Sequence, residues 1–159
     1  MKWVSLVLVV VMIAGGIGIS GCTSNSTKDP IINKTSYSDI GTDISRGQVW
    51  NSTYNEYETV WTVSIEKKSS SFNKEDALKE LSTRKPIEQN YSKTIEQDTK
   101  TLNGVTIYYL SWVRQHQNIY REIFFFEKNG TWYKMDIEDR TGNNTNAINN
   151  EIATYMNKV

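Results

Sequence analysis

Two Asn-Gly pairs, each lying between runs of β-branched and aromatic residues, are the clearest feature in the pattern of apolar and polar positions. Both central residues of a type I′ turn need positive φ, which Asn and Gly tolerate best. Asn129-Gly130 therefore predicts a hairpin of strands 119–128 and 131–139. A two-residue turn also fixes the register, and the pairs opposed on one mainly apolar face are Phe126 with Tyr133, Phe124 with Met135 and Glu122 with Ile137.

Asn103-Gly104 predicts a second hairpin, which joins strands 94–102 and 105–113. The first of these strands is polar on both faces, as expected of an edge strand. The second is apolar on both faces, which indicates a central strand covered from both sides. Upstream, residues 59–66 alternate between apolar and polar side chains and predict another antiparallel strand with one wet face.

Two helices complete the pattern. Asn73 is a favourable N-cap, and the acidic residues that follow it suit a first helical turn, so we expect a helix over 73–81 with the short apolar stripe Ala77, Leu78 and Leu81. The second helix is expected from about residue 145 to 157. Its apolar face is Ala147, Ile148, Ile152, Tyr155 and Met156, and its polar side is Asn149, Asn150, Glu151 and Thr154.

The first 22 residues have the features of an export signal. Lys2 is followed by an uncharged apolar run, residues 3–19, and then by Ser20-Gly21-Cys22, which holds the only cysteine of the chain. As a helix the run spans roughly 25 Å, which is less than the roughly 30 Å of a hydrocarbon core. This favours a cleaved signal. The alternative is an uncleaved N-terminal helix with Cys22 a bystander, and both interpretations end at a membrane.

Ile19-Ser20-Gly21-Cys22 resembles the lipobox of bacterial and archaeal lipoproteins. The resemblance implies removal of the signal peptide, residues 1–21, and a thioether-linked lipid on Cys22. We interpret residues 22–46 as a lipid-anchored tether rich in Ser, Thr and Asn, and residues 47–159 as the folded domain. Because the positive charge precedes the apolar run, we expect the domain on the outer face of the cell membrane.

The order of the predicted elements resembles the PsbP-like domains, in particular the PsbP-related lipoproteins of the archaeal type. The segments that carry the resemblance are 102–109, 120–126, 129–136 and the closing helix, within residues 48–159. One departure is Gly47-Gln-Val-Trp50, where the family often has Phe-x-x-x-Pro-x-x-Trp. The resemblance implies an α+β fold, with a short helix and a C-terminal helix packed on an antiparallel β-sheet meander.

Composition and charge exclude several classes of function. The chain has 18 basic and 18 acidic residues, so no overall field favours nucleic acid. The single histidine, His116, lies in a polar loop and is interpreted as a surface residue. With one histidine, and with Cys22 at the anchor end, neither a zinc site nor a Cys–His nucleophile pair can be assembled. We expect no metal and no cofactor, and a lone thiol allows no internal disulfide.

The densest acidic group is Asp136, Glu138 and Asp139. We favour a solvated face on which these residues pair with Arg121 and Lys134. One alternative is a weak calcium site completed by Glu127 or Asp98. The other is the carboxylate pair of an envelope hydrolase, built from Asp136 and Glu138.

Most aromatic residues are expected in the core, and Trp132, assigned to the wetter face of its hairpin, is the candidate ligand platform. Asn25 and Asn33 are the candidate glycosylation sites among several sequons.

The leading hypothesis is a membrane-anchored extracytoplasmic lipoprotein acting as a non-enzymatic binding or accessory domain. Its expected partners are membrane lipid through the anchor and an envelope protein or glycan, with no nucleic acid. The alternatives are the envelope hydrolase and a purely structural envelope component.

Overall fold

The computed structural model describes residues 30–37 and 41–159. In this part of the chain, seven antiparallel strands form one sheet and two helices pack against it. The predicted α+β fold is therefore confirmed. The elements are β1 (Ile31–Tyr37), β2 (Thr42–Asn51), β3 (Glu56–Lys67), α1 (Lys74–Gln89), β4 (Ser92–Leu102), β5 (Val105–Arg114), β6 (Tyr120–Lys128), β7 (Thr131–Asp139) and α2 (Thr145–Lys158).

The sheet consists of two meanders that meet at β3 and β7. The strand order is β1-β2-β3-β7-β6-β5-β4, and every neighbouring pair is antiparallel. The segment that contains α1 connects β3 to β4, at the far edge of the sheet. The polar strand β4 lies at that edge and the apolar strand β5 lies inside, so both of these predictions are confirmed.

Both Asn-Gly turns have the backbone that the sequence predicts. Asn129 and Gly130 have φ of 53° and 72°, and Asn103 and Gly104 have φ of 50° and 77°. Asn and Gly accept this left-handed conformation at the lowest steric cost. The register of β6 and β7 is the predicted one, with Phe126 opposite Tyr133.

Each helix covers a different face of the sheet. The face under α2, which we call the α2 face, buries alternate residues of the central strands; these are Trp61, Val63, Ile65, Ile107, Tyr109, Phe124, Phe126, Met135 and Ile137. The opposite face, the α1 face, buries Leu110, Trp112, Ile123, Phe125 and Trp132 under Ala77 and Leu81 of α1. Adjacent side chains on one strand point to opposite faces, so the continuous apolar runs of β5 and β6 are divided between two cores.

Helix α1 begins as predicted and ends later than predicted. The Asn73 side chain accepts hydrogen bonds from the backbone of the first turn, and the Asp76 carboxylate accepts one from the Asn73 backbone N–H, which completes a capping box. The predicted apolar stripe stops at Leu81, but the helix continues to Gln89. Its second half is held by buried Glu88, whose carboxylate lies 2.6 Å from the Arg84 guanidinium.

The structure differs from the predicted tether. Strand β1 and residues 42–46 of β2 fall within residues 22–46, and both belong to the sheet. The polar composition of this segment concealed them, because β1 is an edge strand that owes its place to backbone pairing with β2 more than to apolar side chains. Cys22, Asn25 and the signal peptide lie outside the described residues.

Helix α2 buries the predicted face and one residue of its predicted polar side. Glu151 is buried, and its carboxylate lies 2.8 Å from Lys34 Nζ and accepts a hydrogen bond of 2.9 Å from Ser45 Oγ. The Ser45 hydroxyl also lies 2.8 Å from the Tyr155 hydroxyl. These partners meet the need of a buried carboxylate for hydrogen bonds and opposite charge, and they connect α2 to both β1 and β2.

Candidate functional site

A cleft of about 410 Å³ opens on the α1 face, between α1 and the strands β6 and β7. Leu81 of α1 and Ile123 of β6 are buried and form its apolar floor. Ile87, which is half exposed, adds an apolar side chain from the second half of α1. An apolar concavity with a few polar groups at its border is the usual form of a ligand site.

Charged side chains of both signs line the rest of the cleft. Lys134 of β7 reaches across to Glu80 of α1, with Nζ 2.6 Å from Oε1. Arg84 also lines the cleft, and its guanidinium lies over the Trp112 ring at 5.9 Å while it pairs with Glu88. The Arg84 Nε is buried without a hydrogen-bond partner. The cleft thus combines apolar contact area with side chains able to bind an anionic or polar group.

Asp136 lies near this charged group, and its electrostatic neighbours include Arg121, Lys134 and Arg84. Burial raises the pKa of its carboxyl, and the positive charges of Arg121 and Lys134 act in the opposite direction. The desolvation effect is the larger of the two, so the ionised form of Asp136 is less favourable in the fold than in water.

The three acidic residues of β7 do not form one site. Both carboxylate oxygens of Glu138 are engaged, one by Arg121 and the other by Arg140 at 2.5 Å. Asp139 accepts hydrogen bonds from the loop before α2, including one of 2.9 Å from the Gly142 backbone N–H. Over residues 30–37 and 41–159, no group of three or more potential metal-ligating side chains is present.

The predicted solvated face is wrong for Glu138 and Asp139, which are buried, and its predicted ion pairing holds only in part. Arg121 pairs with Glu138 as expected, whereas Lys134 pairs with Glu80. Because the sequence pattern ended α1 at Leu81 without orienting it, this partner could not be foreseen.

Trp132 does not lie on a wet face, which corrects the assignment made from the hairpin alone. Only 9% of the residue is exposed. Its ring lies between Phe72 and Tyr108, with centroids 6.1 Å from each. The segment just before α1 brings Phe72 onto this face, an effect of the crossover that a hairpin pattern does not reveal. The indole is part of a core cluster and offers little surface to a ligand.

The remaining predicted residues lie apart from the cleft. His116 is exposed in the turn between β5 and β6. Asn33 is exposed on β1, opposite Arg46 of β2. The cleft itself was not predicted from the sequence. A longer α1, which carries Arg84 and Ile87 beyond Leu81, is the signal that could have indicated it.

A second polar group lies on the α2 face, around Glu122 of β6. Buried Glu122 accepts hydrogen bonds from Lys100, at 2.8 Å, and from the Tyr120 hydroxyl. Beside it the Tyr109 hydroxyl donates to Glu96 at 2.7 Å. Burial raises the pKa of both tyrosines, and the neighbouring carboxylates raise it further. Both phenols therefore remain protonated hydrogen-bond donors.

Comparisons with known proteins find a neighbour among the solved structures. No family model matches the chain, and no curated protein matches it. The chain is similar to the solution structure of cyanobacterial PsbP (CyanoP) from Synechocystis sp. PCC 6803. The two share 11% identity over 88% of this chain and 97% of that chain, with a TM-score of 0.42.

Proposed function

We propose that this chain is an exported lipoprotein, anchored by a lipid on Cys22, whose folded domain is a non-enzymatic binding or accessory domain. The observation that carries the binding role is the cleft beneath α1, with its apolar floor and charged border. The anchor is supported by the apolar run of the sequence and by the resemblance of Ile19-Ser20-Gly21-Cys22 to a lipobox. Its partners are membrane lipid and a ligand presented by an envelope protein or glycan.

The anchor is tested by intact-mass spectrometry of the full chain recovered from membranes. We expect the wild-type protein to have lost residues 1–21 and to carry lipid on Cys22, with any glycans at Asn25 or Asn33 visible as added mass. Cys22→Ser should retain its signal and lack the lipid. A wild-type protein with Met1 intact and Cys22 unmodified would contradict the anchor.

The cleft supports a ligand with an apolar part and a charged or polar group. Leu81, Ile123 and Ile87 give the apolar part its contact area, and Lys79, Lys134 and Arg84 supply positive charge at the border. Lys134 and Arg84 already pair with carboxylates of α1. A ligand anion would therefore compete with these carboxylates, which favours modest affinity and selection by shape and apolar contact.

Anilinonaphthalene sulfonate, which joins an apolar ring system to an anion, is a suitable probe for this cleft. We expect saturable binding to the folded wild-type protein, measured by fluorescence titration. Ile87→Glu should weaken it by about tenfold, equivalent to about 1.4 kcal/mol, because a carboxylate replaces apolar contact and repels the sulfonate. Leu78→Glu, on the same helix but outside the cleft, is the matched control and should bind as wild type does. Equal loss in both variants would argue against a site in the cleft.

Neither alternative function gains a comparable observation. For the hydrolase, Glu138 would have to act as an acid or base while both of its carboxylate oxygens are paired with arginines. For a purely structural component, the open cleft with an exposed Ile87 has no assigned part. A binding domain accounts for it directly.

A further inference from the structure

The hairpin of β2 and β3 extends beyond the ends of the neighbouring strands β1 and β7. Its ladder continues to Asn51 opposite Glu56. By contrast, β1 stops at Ile31 opposite Gln48, and β7 pairs with β3 only from Trp61 onward. In the described part of the chain, residues 49–58 therefore have no neighbouring strand on either side. We call this projecting segment the hairpin arm.

The hairpin arm exposes aromatic side chains. Trp50, Tyr54 and Tyr57 are 51%, 68% and 51% exposed. Trp50 and Tyr57 lie opposite each other, and their rings meet edge to face with centroids 5.1 Å apart. Exposed single aromatics are common, but a contiguous group of them marks an interaction site in many proteins.

Two isoleucines enlarge the apolar surface at the same end of the sheet. Ile31 and Ile32 are about half exposed, and Ile31 lies opposite Gln48, two residues before Trp50. Residues two apart on a strand share a face, so Ile31 and Trp50 lie on the same side of the sheet. Of the eight exposed large hydrophobic side chains in the described residues, five belong to the hairpin arm or to the start of β1.

The chain enters the sheet at this end. Ile31 is the first residue of β1, and it follows Cys22 by nine positions. Nine residues span at most roughly 30 Å when fully extended. A lipid on Cys22 would therefore hold the end with the hairpin arm close to the bilayer, and the end with the Asn-Gly turns further from it.

The charges of the hairpin arm indicate which kind of surface it fits. Trp50 and Tyr57 share one face, while Glu56 and Glu58 lie on the other, where Asn51 donates a 2.9 Å hydrogen bond to Glu58. Two carboxylates disfavour a strongly anionic surface. Trp and Tyr are enriched at the headgroup level of membranes, where the ring is apolar and its polar atom stays wet.

We propose that the hairpin arm, together with Ile31 and Ile32, is a second membrane contact, which docks on the headgroup region of the bilayer beside the anchor. This inference rests on the proposed lipid anchor. Docking fixes the orientation of the domain, with the sheet end that carries the arm against the lipid and the Asn-Gly turns directed away from it. The arm then prefers neutral headgroups over anionic ones.

The test uses the full, membrane-extracted chain reconstituted in phosphatidylcholine vesicles with brominated acyl chains, which quench nearby tryptophan emission. Trp61, Trp112 and Trp132 are buried, so the difference between wild type and Trp50→Phe isolates Trp50. We expect its emission to fall by about twofold, since an indole at the headgroup level lies close to the acyl chains. Adding anionic phosphatidylglycerol should reduce the quenching.

The matched control moves the exposed tryptophan to the other end of the sheet. Trp50→Phe combined with Thr101→Trp, at an exposed position next to Asn103-Gly104, should show no quenching. Suppose that the wild-type protein sediments with the vesicles but Trp50 is quenched no more than the indole of this double variant. That result would overturn the docking and leave the anchor intact. Failure to sediment would overturn both. A dimer in sedimentation velocity without vesicles, abolished by Trp50→Ala, would assign this surface to a second copy and also overturn the docking.

Discussion

Gly47→Ala is expected to lower the free energy of unfolding by about 3 kcal/mol, near the upper end of the usual cost of overpacking a core. A Cβ at this position would lie 1.9 Å from the Trp61 Nε1 and 2.2 Å from its Cε2. Gly47 and Trp61 are directly opposite on β2 and β3, and the indole lies across the glycine backbone. Because Trp61 is fully buried on the α2 face, its ring cannot move aside without opening the core.

Chemical denaturation measures this loss, and two further variants identify its cause. Gly104→Ala is the control for a glycine with no atom near its Cβ; its positive φ alone should cost about 1 kcal/mol. In a Trp61→Val background, Gly47→Ala should cost much less than in the wild type, since the clashing ring is gone. Additive losses in the double mutant would show that the two sites are not coupled, and the contact would not be the cause.

The strongest local signals gave the most accurate predictions of the fold. The Asn-Gly turns determine their hairpins through backbone sterics alone, so the register of β6 and β7 followed without knowledge of the rest of the molecule. The apolar run of β5 indicated burial on two faces for the same local reason. Each of these signals is contained within about ten residues of sequence.

The features that the sequence did not reveal depend on contacts between distant segments. Trp132 is buried by Phe72, which lies 60 positions away in the chain. Glu151 is of a residue type that is typical of helix surfaces, but it is buried and its carboxylate is stabilised by Lys34 and Ser45. The cleft likewise requires α1, which packs on β4 and β5, to lie beside Ile123 of β6 and Lys134 of β7. A pattern read along one segment cannot report which segment of the chain will cover it.

Leu81→Ala is expected to lower the free energy of unfolding by about 3 kcal/mol, within the usual range for a buried leucine. Leu81 is one of only two apolar side chains of α1 that are fully buried, the other being Ala77. It packs in the same cluster as Trp112 and Phe125 of the sheet. Truncation leaves a cavity between the helix and the α1 face, and little else of apolar character holds α1 in place.

Leu78→Ala is the matched control, since it makes the same chemical change one turn earlier on the same helix. Leu78 is partly exposed and belongs to neither core cluster, so its truncation should cost less than about 1 kcal/mol, as for most surface changes. Both losses are measured by chemical denaturation. Because Leu81 also forms the floor of the cleft, Leu81→Ala should in addition weaken binding of anilinonaphthalene sulfonate to the folded protein. Equal destabilisation by the two variants would mean that α1 is held by its helix propensity and ion pairs, and the cleft would then have no rigid apolar floor on which to bind a ligand.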